Sequence, residues 1–301
     1  MNALVISGGG SKGAFAGGVA EYLIREKKRD YDILIGTSTG SLLIPHLAIG
    51  KIDWIKNIYT NITNKDIYSI SPFTIKKEKD GSLKAQINHF NIFKMILQGK
   101  KTFGEHKNLR KTIEKTLSKA DFERIKKTNK KIIATVSNLH LNIVEYKYLG
   151  DCSYEDFCDW MWISTSFVPF MGLVEKNGYD YADGGFGNII PIEEAINLGA
   201  KTIDVIVLHT RQISPRKTRP NNSFDVLMNS MHFMHTQLRR LDLLLGQFEN
   251  LYNKDVNLNF FFTPSVLTEN SFLFDPPKLK QWWDEGYLHA KRICAKPSFI
   301  Y

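Results

Sequence analysis

Short apolar runs, many rich in β-branched residues, alternate along the chain with longer segments whose apolar positions recur every three or four residues. The runs Ala3–Ser7, Asp32–Thr37, Lys131–Asn138, Ile143–Tyr148, Tyr179–Ala182, Thr202–His209 and Leu258–Thr263 read as strands. Most show little polar alternation, as expected of strands covered on both faces. Between them, helical spacing predicts Ala14–Glu26, Ser41–Ile49, Asp53–Ile62, Asn108–Leu117, Tyr154–Ile163, Ile192–Leu198, Phe224–Tyr252 and Leu279–Ile293. This alternation predicts an α/β fold, a three-layer α/β/α sandwich around a mainly parallel central sheet. No internal repeat and no low-complexity linker interrupts it, so residues 1–301 are read as a single domain.

Two segments break the rhythm. From Asn64 to Phe103, lysines interleave with isoleucines and the aromatics Tyr68, Phe73, Phe90 and Phe93, which reads as a cap or insertion extending over about 64–130. Further on, Phe224, Leu227, Met231, Met234, Leu238, Leu241, Leu245, Phe248 and Tyr252 alternate spacings of three and four. Such a stripe is ordinarily the core face of a long helix. Its other use is a homodimer seam, and Gly246 within it argues against an extended coiled coil.

Composition narrows the setting. A chain of 301 residues, 43% of them hydrophobic, is globular and large enough to bury a sizeable core. Met1 runs into the first strand with no basic leader or cleavage site. The longest mostly apolar stretch, Met161–Val174, is broken by Ser164, Thr165, Ser166 and Pro169 and is too short to span a bilayer. Three cysteines, Cys152, Cys158 and Cys294, lack metal-site spacing, so reduced thiols and a cytoplasmic location are expected. The net charge of +9 is concentrated at Lys76-Lys77-Lys79, Lys100-Lys101, Lys126-Lys127, Lys130-Lys131 and Arg216-Lys217-Arg219. Such a balance attracts anionic surfaces. No zinc-finger, helix-turn-helix or RNA-recognition signature accompanies it, so nucleic acid is not expected, which leaves peripheral binding to an anionic membrane or a Lys-rich background composition with solvated faces.

The chemistry is concentrated at strand ends. Gly8-Gly9-Gly10-Ser11-Lys12-Gly13 matches GxGxxG between a strand and a helix. No acid closes the second strand to hold a ribose, and no GK[ST] makes it a phosphate loop. What does end the second strand is Gly36-Thr37-Ser38-Thr39-Gly40, a GxSxG pentapeptide between strand and helix, the arrangement of a nucleophile elbow. Acyl transfer at Ser38 would generate an oxyanion. Backbone N–H groups of a neighbouring glycine loop suit it, at roughly 2.7–4 kcal/mol for one donor. Tyr181-Ala182-Asp183-Gly184-Gly185 then sets an acid at the end of another short strand.

GGGSKG, GTSTG and DGG, in that order, resemble the motifs of the patatin-like phospholipases. Ser164-Thr165-Ser166-Phe167-Val168-Pro169, before NGYDYADGGFGNIIPI, resembles that family's approach to its aspartate. FDPPKLKQWWDEGYLHAK resembles its closing helix. The resemblance covers most of the chain except 64–130 and the helix from Phe224. It implies a patatin-like three-layer fold and a lipid acyl hydrolase needing no cofactor. Ser38 would be the nucleophile, and Asp183 would accept its proton in a Ser-Asp dyad without histidine. The loop Gly8, Gly9, Gly10, Ser11, Lys12 and Gly13, with the Thr39 N–H, would form the oxyanion hole. Lys12 departs from the arginine usual there, which bears on loop rigidity.

Other readings compete. His209 and His289 lie in order for a Ser-Asp-His triad acting on small soluble esters. A non-catalytic lipid-binding or storage protein could use the same scaffold. A dinucleotide oxidoreductase is disfavoured by the missing acid. His232 and His235 stand three apart on a helix, but no third ligand, HExxH or Cys-His array accompanies them, and no metal is assigned.

Overall fold

The computed structural model describes residues 1–79, 83–212, 219–252 and 255–295. In chain order the elements are β1 (Asn2–Ile6), α1 (Gly13–Arg25), β2 (Ile33–Thr37), α2 (Thr39–Ala48), α3 (Ile52–Asn61) and α4 (Asn64–Ile67). Then come β3 (Phe73–Lys77), β4 (Leu83–Ile87), α5 (His89–Leu97), α6 (Lys107–Thr116), α7 (Lys119–Lys126), β5 (Lys131–Asn138) and β6 (Ile143–Tyr148). They are followed by α8 (Tyr154–Ser164), β7 (Val174–Lys176), β8 (Tyr179–Asp183) and α9 (Ile192–Asn197). The chain continues with β9 (Thr202–Val207), α10 (Ser223–Tyr252), β10 (Asn257–Phe262) and α11 (Pro276–Ala295).

The main sheet runs β10-β9-β1-β2-β5-β8-β7, with β6 also on β5. The pairs from β10 through β5 are parallel. The contacts of β5 with β6 and β8, and of β7 with β8, are antiparallel. This is the expected mainly parallel sheet with an antiparallel flank. Period-two side-chain placement explains why the strands read as unbroken apolar runs. In β1, Leu4 and Ile6 enter one core cluster while Ala3 and Val5 enter the other. In β2, Leu34 faces the first cluster and Ile33 and Ile35 the second. Helices α1, α2, α3, α6, α7, α8 and α11 cover the first face. Trp283 of α11 is fully buried there, and its indole N–H donates to Glu21 of α1 at 2.6 Å. On the second face α9 and the later turns of α10 pack against the strands.

The register of β5 positions the site. Lys131–Thr135 pair with β2, and Val136–Asn138 pair with β8. Residues 133–138 carry β6 on the opposite edge. Strands β2 and β8 therefore share one edge of β5 end to end, running toward each other. Thr37 faces Thr135 and Asp183 faces Val136, so the carboxyl ends of β2 and β8 meet over adjacent residues of β5.

Six elements escaped the hydrophobic pattern: α4, α5, α7, β3, β4 and β7. Helix α5 is apolar nearly all round: Ile92 and Met95 are buried while Phe90, Phe93, Ile96 and Leu97 are exposed, so no single stripe marks it. Strands β3 and β4 form their own antiparallel pair off the main sheet, and β7 has three residues. Within 64–130 the parts behave differently. Leu109, Ile113, Leu117, Phe122 and Ile125 join the first core cluster, whereas α5 projects its aromatics into solvent.

The long stripe on α10 departs from a simple core face. Leu227, Met228 and Met231 pack on the first cluster, and Leu238 and Leu243 on the second. Met234, Leu241, Leu245, Phe248 and Tyr252 stand half or more exposed. The helix passes from one face to the other, so its middle turns run by the carboxyl end of the strands rather than lying flat on either core. Among the described residues, no helix is long and apolar enough to cross a membrane.

Candidate active site

The turn from β2 into α2 passes through Ser38 at φ 53° and ψ −120°. A non-glycine residue held there stores about 1–3 kcal/mol of backbone strain. Several bonds over-determine it. The Ser38 N–H donates to Ser164 Oγ at 2.9 Å, and the Ser164 hydroxyl donates in turn to the Thr135 carbonyl at 2.7 Å. The Ser38 carbonyl accepts from the Ser41 hydroxyl at 2.6 Å and the Ser41 N–H at 2.9 Å. The flanking glycines allow a turn this tight. A Cβ on Gly36 would lie 2.3 Å from the Gly40 carbonyl carbon, and one on Gly40 would lie 2.3 Å from the Ile6 oxygen.

Asp183 closes β8 and is 3% exposed. Its N–H donates to the Ser166 carbonyl at 2.9 Å, and its Oδ1 accepts the Gly185 N–H at 2.8 Å. The Ser38 and Asp183 side chains line the same cavity. Burial pushes the Asp183 carboxyl up to about 7, against the opposing pull of the Ser38 side chain and the Gly185 N–H. Gly184 lies against β5, where a Cβ would come 2.3 Å from the Thr135 oxygen. Behind this segment, buried His106 accepts the Gly172 N–H on Nδ1 at 3.1 Å. Its Nε2 therefore carries the proton and donates to Ser166 Oγ at 2.9 Å. From α10, Asp242 Oδ2 accepts the N–H groups of Ile189 and Ile190 at 2.8 and 2.9 Å, anchoring the chain beyond the two glycines.

The loop after β1 lies on the other side of Ser38; a Cβ on Gly8 would sit 3.4 Å from that of Ser38. Its backbone donors divide into two groups. The Gly8 N–H donates to Ile189, the Ser11 N–H to Ser271 and the Lys12 N–H to Gly9, while the Gly13 N–H donates back to Gly10 and Ser11. Among the described residues, the N–H groups of Gly9, Gly10 and Thr39 carry no such bond. Tyr59 ties two of these together, donating to the Gly10 carbonyl at 2.8 Å and bonding the Thr39 hydroxyl. Lys12 is buried and reaches His209 Nε2 at 3.2 Å.

One cavity joins these groups. Gly8, Gly9, Gly10, Ser38, Thr39 and Asp183 line it at the strand ends. One arm is apolar, built by Leu42, Ile55, Ile62, Leu109, Ile113 and Met161 from helices on the first face. Lys12, His209, His232 and His235 line it on the side of α10. His289 is elsewhere, its ring 5.7 Å from Phe15.

Ser38, Asp183 and the glycine loop thus line one cavity. Ser164, Ser166, His106, Tyr59 and Asp242 were not assigned a place in the site from sequence. Ser164 and Ser166 stood in a recognised stretch, but the others carry no local signal.

The sequence model of one family, described as patatin-like phospholipase, matches residues 4–196. The uncharacterised protein YjjU of Escherichia coli strain K12 is 24% identical over 220 residues, covering 68% of this chain and 51% of that protein. The uncharacterised protein L620 of Acanthamoeba polyphaga mimivirus is 34% identical over 156 residues, covering 48% of this chain and 41% of that protein. The chain thus spans about half the length of the curated relatives it matches. Among solved structures, the crystal structure of VipD from Legionella pneumophila aligns with 97% of this chain and 66% of its own. Its TM-score is 0.52 at 14% identity, a likeness of fold.

The raised carboxyl has a thermodynamic consequence. Asp183 titrates near 7 when folded against 3.8 when unfolded, so the stability it contributes below about pH 4 is lost as pH rises through about 7. Asp183→Asn keeps the shape and removes the titration. The melting temperature of the variant is expected to gain on that of the wild type up to about pH 7 and to hold a constant lead above it. A difference independent of pH would contradict the raised value.

Proposed function

The chain belongs to the patatin-like phospholipase family, and on that premise we propose that it is a serine acyl hydrolase cleaving fatty-acyl esters of lipids and phospholipids. The observation that carries this reading is the meeting of the strained Ser38 turn and the buried Asp183 carboxyl over adjacent residues of β5, where both line one cavity. Ser38 Oγ attacks the ester carbonyl while its proton passes to Asp183. Burial raises the carboxyl toward the working pH, where a general base is most effective. The oxyanion is received by the N–H groups of Gly9, Gly10 and Thr39, which have no other bond to lose among the described residues. The expected seven-residue hole thus narrows to three donors, with Gly8, Ser11, Lys12 and Gly13 shaping the loop. Collapse expels the alcohol, which takes its proton from Asp183 and leaves Ser38 acylated. Water, deprotonated by Asp183, then frees the acid by the same steps in reverse. The apolar arm suits an acyl chain, and no cofactor enters.

A histidine-completed triad has less support. The Asp183 carboxyl accepts the Gly185 N–H, His209 is engaged by Lys12, and His289 lies outside the cavity. Ester hydrolysis by the purified variants separates the two mechanisms. Asp183→Asn is expected to lower kcat by roughly 10³-fold or more, with folding verified by circular dichroism. His209→Ala and His289→Ala are each expected to cost far less. Wild-type kcat/KM is expected to rise with pH through about 7 as Asp183 ionises. A folded histidine variant as inactive as Ser38→Ala would replace the dyad with the triad.

The substrate reading extends to a surface. Exposed Phe90, Phe93, Ile96 and Leu97 of α5 stand beside Lys94 and the exposed lysines Lys76, Lys77 and Lys79 of the neighbouring hairpin region. The ring of His89 on α5 packs 6.0 Å from that of Phe224 on α10. Arg216 and Lys217 of the last basic cluster lie outside the described residues. This combination suits peripheral docking on an anionic bilayer, where each basic residue contributes about 1 kcal/mol before screening. Co-sedimentation is expected to favour anionic over zwitterionic vesicles, to weaken with salt and to fall in Phe90→Ser/Phe93→Ser. Binding indifferent to lipid charge and to both substitutions would remove the surface from the account.

A further inference from the structure

The side of the cavity facing α10 gathers basic side chains with no counter-ion among the described residues. Lys12 is buried, and its ammonium has one hydrogen-bond acceptor, His209 Nε2 at 3.2 Å. Arg239 of α10 is also buried, and its bond is a long one, 3.4 Å to Thr236 Oγ1. Among the described residues neither cation has an ion-pair partner, and the carboxylate felt by Lys12, Glu269, is exposed and lies beyond pairing distance. Asp242, three residues beyond Arg239, is spent on the Ile189 and Ile190 N–H groups. His235 completes the group. Its ring lies against Phe167 and Phe186, with centroids 5.0 and 5.5 Å away, and its buried Nε2 has no hydrogen-bond partner among the described residues. A Cβ on Gly185 would come 3.6 Å from that ring, which sets His235 within a residue or two of Asp183.

Two buried cations and an unpartnered imidazole nitrogen are costly unless something compensates them. Among the described residues the packing does not, which leaves that role to a ligand. We propose that Lys12, His209 and His235, with Arg239 behind them, form a subsite for the phosphate of a phospholipid whose scissile ester lies at Ser38. This rests on the hydrolase reading above and names the substrate's second anchor. The cavity has the matching polarity, with an apolar arm from the first-face helices and this cationic side toward α10. Burial and the nearby Arg239 charge push the Lys12 ammonium down to about 7, and a bound phosphate would oppose that depression. Lys12 and His235 supply donors to the phosphate oxygens, His209 orients Lys12, and Arg239 acts through the field it adds.

The test uses the full chain and two readouts. The first is the melting temperature in inorganic phosphate against chloride at equal ionic strength. Phosphate is expected to raise it in the wild type, and the rise is expected to vanish in Arg239→Gln and His235→Phe. The latter keeps an aromatic ring between Phe167 and Phe186. Arg239→Lys is expected to recover part of the rise, which a purely structural arginine would not do through phosphate. The second is the ratio of kcat/KM for lysophosphatidylglycerol over a monoacylglycerol of the same chain. It is expected to fall about tenfold or more in Arg239→Gln and His235→Phe. A phosphate effect equal in wild type and variants overturns the subsite. Loss of that effect with an unchanged substrate ratio overturns its assignment to the lipid and leaves a site for free phosphate. If the wild type cleaves neither ester, the hydrolase reading and the lipid assignment fall together, while the phosphate readout still decides whether the anion site exists.

Discussion

One edge of β5 is shared by two strands that run toward each other, and the chemistry of the site follows from where they meet. Thr37 of β2 stands opposite Thr135, and Asp183 of β8 opposite Val136. Ser38, which follows Thr37, and Asp183, 145 positions further on (183 − 38), are thereby positioned by backbone registers. Ser164, at the end of α8, fixes the junction from below by bonding both the Ser38 N–H and the Thr135 carbonyl. Strain at Ser38 is sustained because a slip of either strand would break its pairing with β5. Glycines cluster here for the same reason: Gly36, Gly40 and Gly184 occupy points where backbone meets backbone within 2.3 Å of where a Cβ would sit.

The electrostatics divide along the same line. At the junction a buried carboxyl is held up to about 7 by desolvation, tempered by the Ser38 side chain and the Gly185 N–H. Toward α10 are the buried basic side chains of Lys12 and Arg239, and the glycine loop presents N–H groups that carry no backbone bond among the described residues. The cavity is therefore polarised before any ligand enters: a buried carboxyl and the Ser38 turn at the strand ends, backbone N–H groups of the glycine loop beside them, and basic side chains on the α10 side. Preorganisation of this kind lowers the cost of reorienting dipoles during reaction. It also explains why α10 crosses the strand ends. A helix lying wholly on one core face could not bring His235 to the cavity while Asp242 anchors the Ile189–Ile190 backbone.

Much of this was legible in the sequence wherever the signal is local. The strands β1, β2, β5, β6, β8, β9 and β10 announce themselves by apolar content, and GTSTG and DGG mark their turns because tight backbone needs glycine. The mainly parallel sheet followed from the alternation of strands and helices. What sequence did not reveal depends on contacts between distant segments. Spacing alone cannot tell that the Gly8 N–H is bound to Ile189 while those of Gly9 and Gly10 are not. Tyr59, His106 and Asp242 look like ordinary helix or loop residues until the fold sets them beside Gly10, Ser166 and Ile189. The stripe on α10 gave the right element but the wrong burial, because period 3.6 reports one apolar face and not how much of it meets a partner. Helix α5 failed for the opposite reason, being apolar on both its buried and its exposed faces.

The most direct measurement is the site of covalent modification by a long-chain fluorophosphonate, which reacts with an activated serine and mimics the acyl-transfer intermediate. Intact protein is expected to gain one adduct, mapped by peptide mass spectrometry to Ser38, with none on heat-unfolded protein or on Ser38→Ala. Modification persisting in folded Ser38→Ala, or an adduct mapped to another serine, would contradict the assignment of Ser38 as the nucleophile.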